Sequence, residues 1–283
     1  LSIDSTGADA GTQGASSNKS INFTRQAYVG LTGNFGTLIG GRLYTPHYTL
    51  WQSVIDPFAA GTVGTYANAL GGSAGGDVTR VDNALAYVSP SFSGFTVTAA
   101  YSNKMAGQET GAVNNNAPTA SGVTNGDDTK VYALLGQYAA GGLNLGLNYH
   151  YAVFEGNPAL NFAGGTQINP GAAFSLNLKD TYNVTLGGNY DFKSFKLHGA
   201  VAYNETSGAN GFNNNSNLEI WNYFVGATIP VGKIDIKGSI MYSDADNWGD
   251  ATQYAIGANY NLSKRTDIYT AYSYIDADDT RSG

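Results

Sequence analysis

Lys196, His198 and Lys237 are the first residues of this 283-residue chain whose types and spacing bear on chemistry. Each stands at a polar position of a segment that alternates apolar and polar residues: Phe195–Tyr203 for the first two, Ile234–Tyr242 for the third. Leu143–Tyr151, carrying Asn144, Asn148 and His150, alternates in the same way, as does Tyr182–Tyr190, carrying Thr185 and Asn189. A period of two puts successive side chains on opposite faces of a strand. Asn148, Asn189, Lys196, His198 and Lys237 are therefore expected on polar faces. Such a face offers water and dissolved solutes exchangeable hydrogen bonds and a few fixed charges without a deep binding well. That is the chemistry of passage, not of bond breaking.

The signals for other chemistry are weak. The three histidines, His47, His150 and His198, lack zinc-ligand spacing, and there is no cysteine. His198 has no nucleophile motif near it. Asp244-Ala245-Asp246-Asn247-Trp248-Gly249-Asp250 resembles a calcium loop, but Trp248 occupies the fifth position and no glutamate follows at the required spacing. It reads as a solvated loop, as does Asp276-Ala277-Asp278-Asp279. Gly71-Gly72-Ser73-Ala74-Gly75-Gly76 does not follow a strand and open a helix, so a dinucleotide cradle is not expected. No enzyme activity, cofactor or metal is expected. Charged residues make up 12 %, about half the usual share, and the net charge is −7. An acidic chain this poor in Lys and Arg does not bind nucleic acid by neutralising phosphates.

The elements that must position these residues follow from the same period. Twelve strands are expected, near 22–33, 36–44, 83–90, 95–103, 129–139, 143–155, 179–192, 195–206, 219–230, 233–244, 251–262 and 266–276. Many reach the length needed to cross a bilayer at a tilt. Short turns fall near Gly33-Asn34, Ser91–Ser93, Gly141-Gly142, Lys193-Ser194, Val231-Gly232 and Ser263–Arg265. Long Gly/Asn/Ser-rich loops fall near 45–80, 104–127, 156–177 and 207–217. Short turns alternating with long loops are the layout of a transmembrane antiparallel meander β-barrel. Tyr101, Tyr149, Tyr151, Tyr190, Tyr203, Tyr242 and Tyr260 stand at strand ends, where an interfacial girdle belongs. A soluble β-sandwich also alternates, but with shorter strands and a more charged surface. The chain opens at Leu1 rather than at a methionine and is expected to be part of a longer protein.

Thr24-Arg25-Gln26-Ala27-Tyr28-Val29-Gly30-Leu31, Gly33-Asn34-Phe35-Gly36-Thr37 and Gly41-Arg42 are similar to the strand–turn–strand before the constriction loop in general porins of the Neisseria and Burkholderia type. Arg80–Phe95 resembles the segment after that loop, and Asn261-Leu262-Ser263-Lys264-Arg265-Thr266-Asp267 the penultimate periplasmic turn. The resemblance runs over nearly the whole chain, read as a single barrel domain. It implies a homotrimer of sixteen-stranded barrels in the outer membrane, in contact with its lipids and lipopolysaccharide. About twelve strands belong to this chain; about three at the start and the last one would lie outside it. It also implies that 45–80 folds into the lumen, facing wall arginines matched by Arg25 and Arg80, with Arg42 near the loop base. Strict alternation from Val29 and Leu31 turns Arg25 outward, so a bulge or an inward-facing pair is required there. Asp56, the only carboxylate between Arg42 and Asp77, is expected either to oppose the arginines across the pore or to cap a short helical turn.

The implied function is passive diffusion of small hydrophilic solutes and ions. A mild anion preference is expected despite the acidic total, because Asp127-Asp128, Asp244-Asp246-Asp250 and Asp276–Asp279 lie in outer loops, beyond a Debye length of about 8 Å from a basic constriction. An adhesin or receptor barrel, or a barrel enzyme, is the alternative.

Overall fold

The computed structural model describes residues 26–66, 79–103, 123–124, 130–153, 159–162, 174–177, 180–207, 217–246, 249–263 and 265–277. Its strands are β1 (Ala27–Gly33), β2 (Gly36–Tyr44), β3 (Arg80–Val88), β4 (Phe95–Ser102), β5 (Val123–Thr124), β6 (Lys130–Ala140), β7 (Leu143–Val153), β8 (Ala159–Phe162), β9 (Phe174–Asn177), β10 (Asp180–Asp191), β11 (Lys196–Thr206), β12 (Leu218–Val231), β13 (Ile234–Ala245), β14 (Gly249–Ser263) and β15 (Thr266–Ala277). Twelve of them form one sheet in the order β1-β2-β3-β4-β6-β7-β10-β11-β12-β13-β14-β15. Every neighbouring pair is antiparallel, so the sheet is a pure meander. The twelve strands are those the alternation predicts, within three residues at each end, except that the start expected for the first, near 22, lies outside the described residues. The short β5, β8 and β9 form a separate sheet inside segments expected to be irregular loops.

Turn chemistry sets the register. Gly141 and Gly142 have φ of 61° and 92°, which is what a two-residue hairpin between β6 and β7 demands. One bulge interrupts the early strands: Gly41 pairs with Ala84 and Leu43 with Val81, so Asp82 and Asn83 together face Arg42, and Asn83 takes a positive φ of 48°.

The two faces differ as the alternation requires. Leu145, Leu147, Leu186, Val201, Val225, Ile240 and Ile256 are exposed on the outer face. Exposed apolar area of this extent across consecutive strands needs an apolar solvent. Aromatic rings run side to side along the long-loop end of that face: Tyr101 lies 5.1 Å from Tyr132, Tyr182 5.8 Å from Tyr203, Tyr203 4.8 Å from Trp221, and Tyr223 6.2 Å from Tyr242. A second row follows the short-turn end, with Phe95 5.5 Å from Tyr138 and Tyr190 4.6 Å from Phe192. Tyr182 and Tyr190 of β10 are eight residues apart, roughly 26 Å along the strand and about 20 Å across a membrane after tilting. No helix among the described residues is long and apolar enough to cross a membrane; the crossing elements are strands.

Candidate functional site

The inner face is organised by the segment between β2 and β3. Thr45 caps the short helix α1 (Pro46–Leu50), its hydroxyl accepting the Tyr48 amide at 3.1 Å, with Pro46 in the first turn. A π-helical turn (Trp51–Ile55) follows directly. The sequence here places Leu50, Trp51, Val54 and Ile55 at helical spacing, so one side is wholly apolar. That side packs on the wall: Leu50, Trp51, Val54, Ile55 and Tyr66 form one buried cluster with Leu135, Ala200, Ala202, Phe224 and Met241. Trp51 stacks on Tyr66 at 4.3 Å and meets Phe224 edge-on at 5.6 Å, while its indole N–H donates to His47 Nε2 at 2.8 Å. Burying these side chains holds the loop against strands far away in sequence, at roughly 1.5–3 kcal/mol per large side chain.

Polar groups complete the attachment. The Val54 carbonyl accepts from Asn189 Nδ2 at 2.6 Å and from His198 Nδ1 at 3.2 Å. His198 Nδ1 must then carry the proton, leaving Nε2 to accept from the Thr228 hydroxyl at 3.4 Å. Farther along, Gln253 Nε2 donates to the Thr65 carbonyl at 3.0 Å.

Asp56 shapes the loop from within. Only 4 % exposed, its carboxylate accepts the amides of Phe58 at 2.8 Å, Ala60 at 3.0 Å and Tyr66 at 3.4 Å. Burial pushes its pKa above the usual aspartate value, and the three amides pull it partly back. The expected transverse field from Asp56 has no support in this geometry: the carboxylate is turned into the loop, where it folds residues 56–66, and is not displayed to the pore.

Asn148, Asn189 and His198 are expected to line open water; the structure puts the loop in front of them. Asn148 is 0 % exposed and donates to Asn183 Oδ1 at 3.4 Å. Asn183 in turn donates to Asn204 Oδ1 at 2.7 Å, and the Ser243 hydroxyl to Asn222 Oδ1 at 2.6 Å. Face was legible from parity, but the loop's path was not. Lys196 and Lys237 remain half-exposed and belong to one cross-strand row, since Lys196 pairs with Thr228 and Thr228 with Lys237. Two carboxylates on the same face are engaged by turns: Asp191 accepts the Lys193 amide at 2.7 Å, and Asp235 accepts from Asn261 Nδ2 at 2.8 Å.

At the loop base, Arg42 Nη1 lies 2.5 Å from Asp82 Oδ1 across the bulge. This pair ties together the two strands between which the loop leaves and returns. Arg80 packs its guanidinium 5.1 Å over the Tyr44 ring, and Tyr44 lies 4.8 Å from Tyr48 of α1. Arg80 Nε is buried with no hydrogen-bond partner among the described residues. Arg25 lies outside the described residues. So do Asp127, Asp128, Asp278 and Asp279 of the outer acidic segments. Among the described residues no group of His, Asp and Glu is arranged to hold a metal ion.

The sequence matches the Gram-negative porin family over residues 4–280. The chain belongs to that family. It is 29 % identical to an outer membrane porin protein of Bordetella pertussis over 89 % of this chain, and 26 % identical to the outer membrane porin protein 32 of Delftia acidovorans over 90 %. It spans 66 % and 64 % of the length of those two porins. The anion-selective porin from Comamonas acidovorans has a similar fold, with a TM-score of 0.67 and 23 % identity over 92 % of this chain and 69 % of that one. The trimer form of OmpT from Vibrio cholerae superimposes with a TM-score of 0.63 at 15 % identity, over 89 % and 70 %. The meander and its apolar outer face are thus those of a porin barrel.

Sequence reasoning missed the residues that seat the loop: Trp51, Ile55, Tyr66 and the Val54 carbonyl. The helical spacing of Leu50, Trp51, Val54 and Ile55, inside a stretch otherwise typical of loop, is the signal that could have found the first two.

Proposed function

We propose that the protein is an outer-membrane general diffusion porin, a channel rather than an enzyme. It passes small hydrophilic solutes and ions passively, with a mild preference for anions, and assembles as a homotrimer. One observation carries this reading: a loop from between β2 and β3 lies along the inner face of the barrel sheet and is held there by an apolar cluster. An inward loop narrows a water-filled barrel without closing it, which is the arrangement a diffusion pore requires. Membership of the porin family supports the same reading. The anion preference rests on the balance of inward charge. Lys196 and Lys237 stand half-exposed on the inner wall and Asp56 is withdrawn into the loop, while Asp191 and Asp235 keep their charge nearer the short turns and offset part of the two lysines, so the surplus of positive charge is assigned to the arginines of the constriction. The anion-selective porin of Comamonas acidovorans supports it by likeness of fold.

Arg80 and Arg42 are the proposed basic side of the constriction, with Arg25 added by family position. A guanidinium keeps its charge at any physiological pH, so the field there is permanent. The test is conductance of the natural full-length protein in planar bilayers under a salt gradient. Anion preference appears as a zero-current potential of the corresponding sign, and Arg80→Glu shifts it toward cations, more in dilute salt than in concentrated salt. A potential unmoved by Arg80→Glu at low ionic strength removes Arg80 from the constriction. Absence of any conductance removes the porin reading and leaves an adhesin or receptor barrel.

A further inference from the structure

We propose that a track of glycines on the inner wall sets how deep the inward loop sits and, through it, the aperture of the pore; this rests on the porin reading above. Gly146 of β7, Gly187 of β10, Gly226 of β12 and Gly257 of β14 all stand at inward positions. The loop meets them in chain order: Leu50 lies on Gly146, Ile55 on Gly187, Pro57 on Gly226 and Phe58 on Gly257. Gly146 and Gly187 are also direct partners across β7 and β10. The loop therefore crosses the wall over four positions without side chains, with Ala200 and His198 of β11 and Ser239 and Lys237 of β13 as their cross-strand neighbours.

None of the four needs glycine for its backbone, because none has a positive φ. What they supply is room. A Cβ on Gly187 would sit 2.5 Å from Ile55 Cδ1, 2.9 Å from Ile55 Cγ1 and 2.8 Å from Ala200 Cβ. A Cβ on Gly226 would sit 3.1 and 3.2 Å from Pro57 Cγ and Cδ, and one on Gly257 2.7 Å from the Thr270 carbonyl oxygen of the neighbouring strand and 2.9 Å from Phe58 Cε1. On Gly146 it would collide with Leu50 Cδ1. By contrast, a Cβ on Gly136, an outward position of β6, meets nothing within 4 Å.

Carbon atoms pack at about 3.5–4.0 Å, so a methyl at Gly187 demands a shift of about 1 Å. Ile55 is 0 % exposed and has no vacant space to rotate into. The wall is fixed by hydrogen-bonded strands on both sides, β7 and β11. The loop is a single covering segment held by side chains, so it is the part that gives, and the only direction open to it is away from the wall into the lumen. Each glycine is a positioning residue: it touches no solute and acts through the loop.

The experiment uses the natural full-length protein in planar bilayers, with single-channel conductance and exclusion of neutral polyethylene glycols of graded size as readouts. Gly187→Ala lowers conductance about 1.5-fold and moves the exclusion limit to smaller polymers, since current through a constriction follows its open cross-section. Gly136→Ala matches the wild type in both. Combining Gly187→Ala with Ile55→Ala, which deletes the two colliding atoms that belong to the loop and leaves the wall contact with Ala200 Cβ in place, returns conductance and exclusion limit toward wild type; a change in barrel stability alone would not be repaired in this way. If Gly187→Ala fails to fold, Gly226→Ala, whose new methyl meets the Pro57 ring more gently, must lower conductance in its place. Unchanged or raised conductance in the folded glycine variants overturns the inference while leaving the porin reading intact. A wild-type protein that does not conduct overturns that reading first.

Discussion

Two regions of the same inner wall have opposite fates. Toward the long loops, Asn148, Asn183, Asn204 and Asn222 are almost wholly buried and bond to one another or to Ser243. Toward the short turns, Lys196 and Lys237 stand half-exposed in a row with Thr228. Both sets lie on one face of the same sheet and obey the same parity. Between them runs the loop from Thr45 to Tyr66, which meets the wall at Gly146, Gly187, Gly226 and Gly257 and bonds to Asn189 and His198. Inward-facing and water-facing are thus separate properties. A polar side chain behind the loop stabilises the wall, and one beyond it acts on what passes through.

That contrast can be tested by removing its cause. Trp51→Ala deletes the largest side chain holding the loop, and a buried aromatic truncated to alanine costs about 3–5 kcal/mol. The loop is expected to leave the wall, raising single-channel conductance, opening residues 45–66 to protease and exposing the asparagine ladder. Conductance at the wild-type level would mean that the loop is held by more than its apolar cluster.

Charge comes next. Lys196→Glu together with Lys237→Glu is expected to shift the anion-to-cation permeability ratio several-fold toward cations, each charge contributing roughly 0.5–1 kcal/mol through water. Asn204→Ala, behind the loop, is expected to lower stability by about 1–3 kcal/mol through the unpaired partner Asn183, with no change in permeability ratio. Equal selectivity effects at the two sites would dissolve the distinction between the regions.

The tethers should matter less. Asn189→Ala and His198→Ala each remove one donor from the Val54 carbonyl, worth about 1 kcal/mol. Larger current fluctuations are expected with little change in mean conductance, and the double variant should exceed either single one.

The smallest effect is a dependence on pH. Burial holds the Asp56 pKa above its ordinary 3.8. Between the ordinary and the raised value the folded chain binds a proton that the unfolded chain has released, so stability falls as pH rises through that window and is level above it. Asp56→Asn, which does not ionise, should lack this slope. Denaturation midpoints measured across the acid range would reveal it, and matching slopes in both proteins would assign it to another group.

The twelve strands and the sidedness of each were legible in the sequence, because alternation is local and each strand repeats it. Turn positions were legible too, since the positive φ of a tight hairpin, as at Gly141-Gly142, is adopted readily by few residues other than glycine. Segments such as β8 and β9 were not, because four residues carry too little pattern to separate a strand from a loop. Arg42 could be placed near the loop base only through the resemblance of Gly41-Arg42 to the porin segment before the loop, and its partner Asp82 becomes visible only when β2 and β3 pair across a bulge. Asp56 was legible as the loop's carboxylate, with a capping role weighed against a field across the pore. The amides of Ala60 and Tyr66 that turn it inward are brought to it by the fold of residues 56–66.

By itself, then, the sequence determined which side chains face inward and which face outward, because in a strand that choice depends only on a residue's immediate neighbours. The tertiary structure decided which inward side chains meet water. The loop is tied to Asn189, His198 and Gln253 by hydrogen bonds that join residues 135 to 188 positions apart in the chain, and its seat is made by contacts, such as Ile55 on Gly187 and Val54 on His198, that no local pattern records.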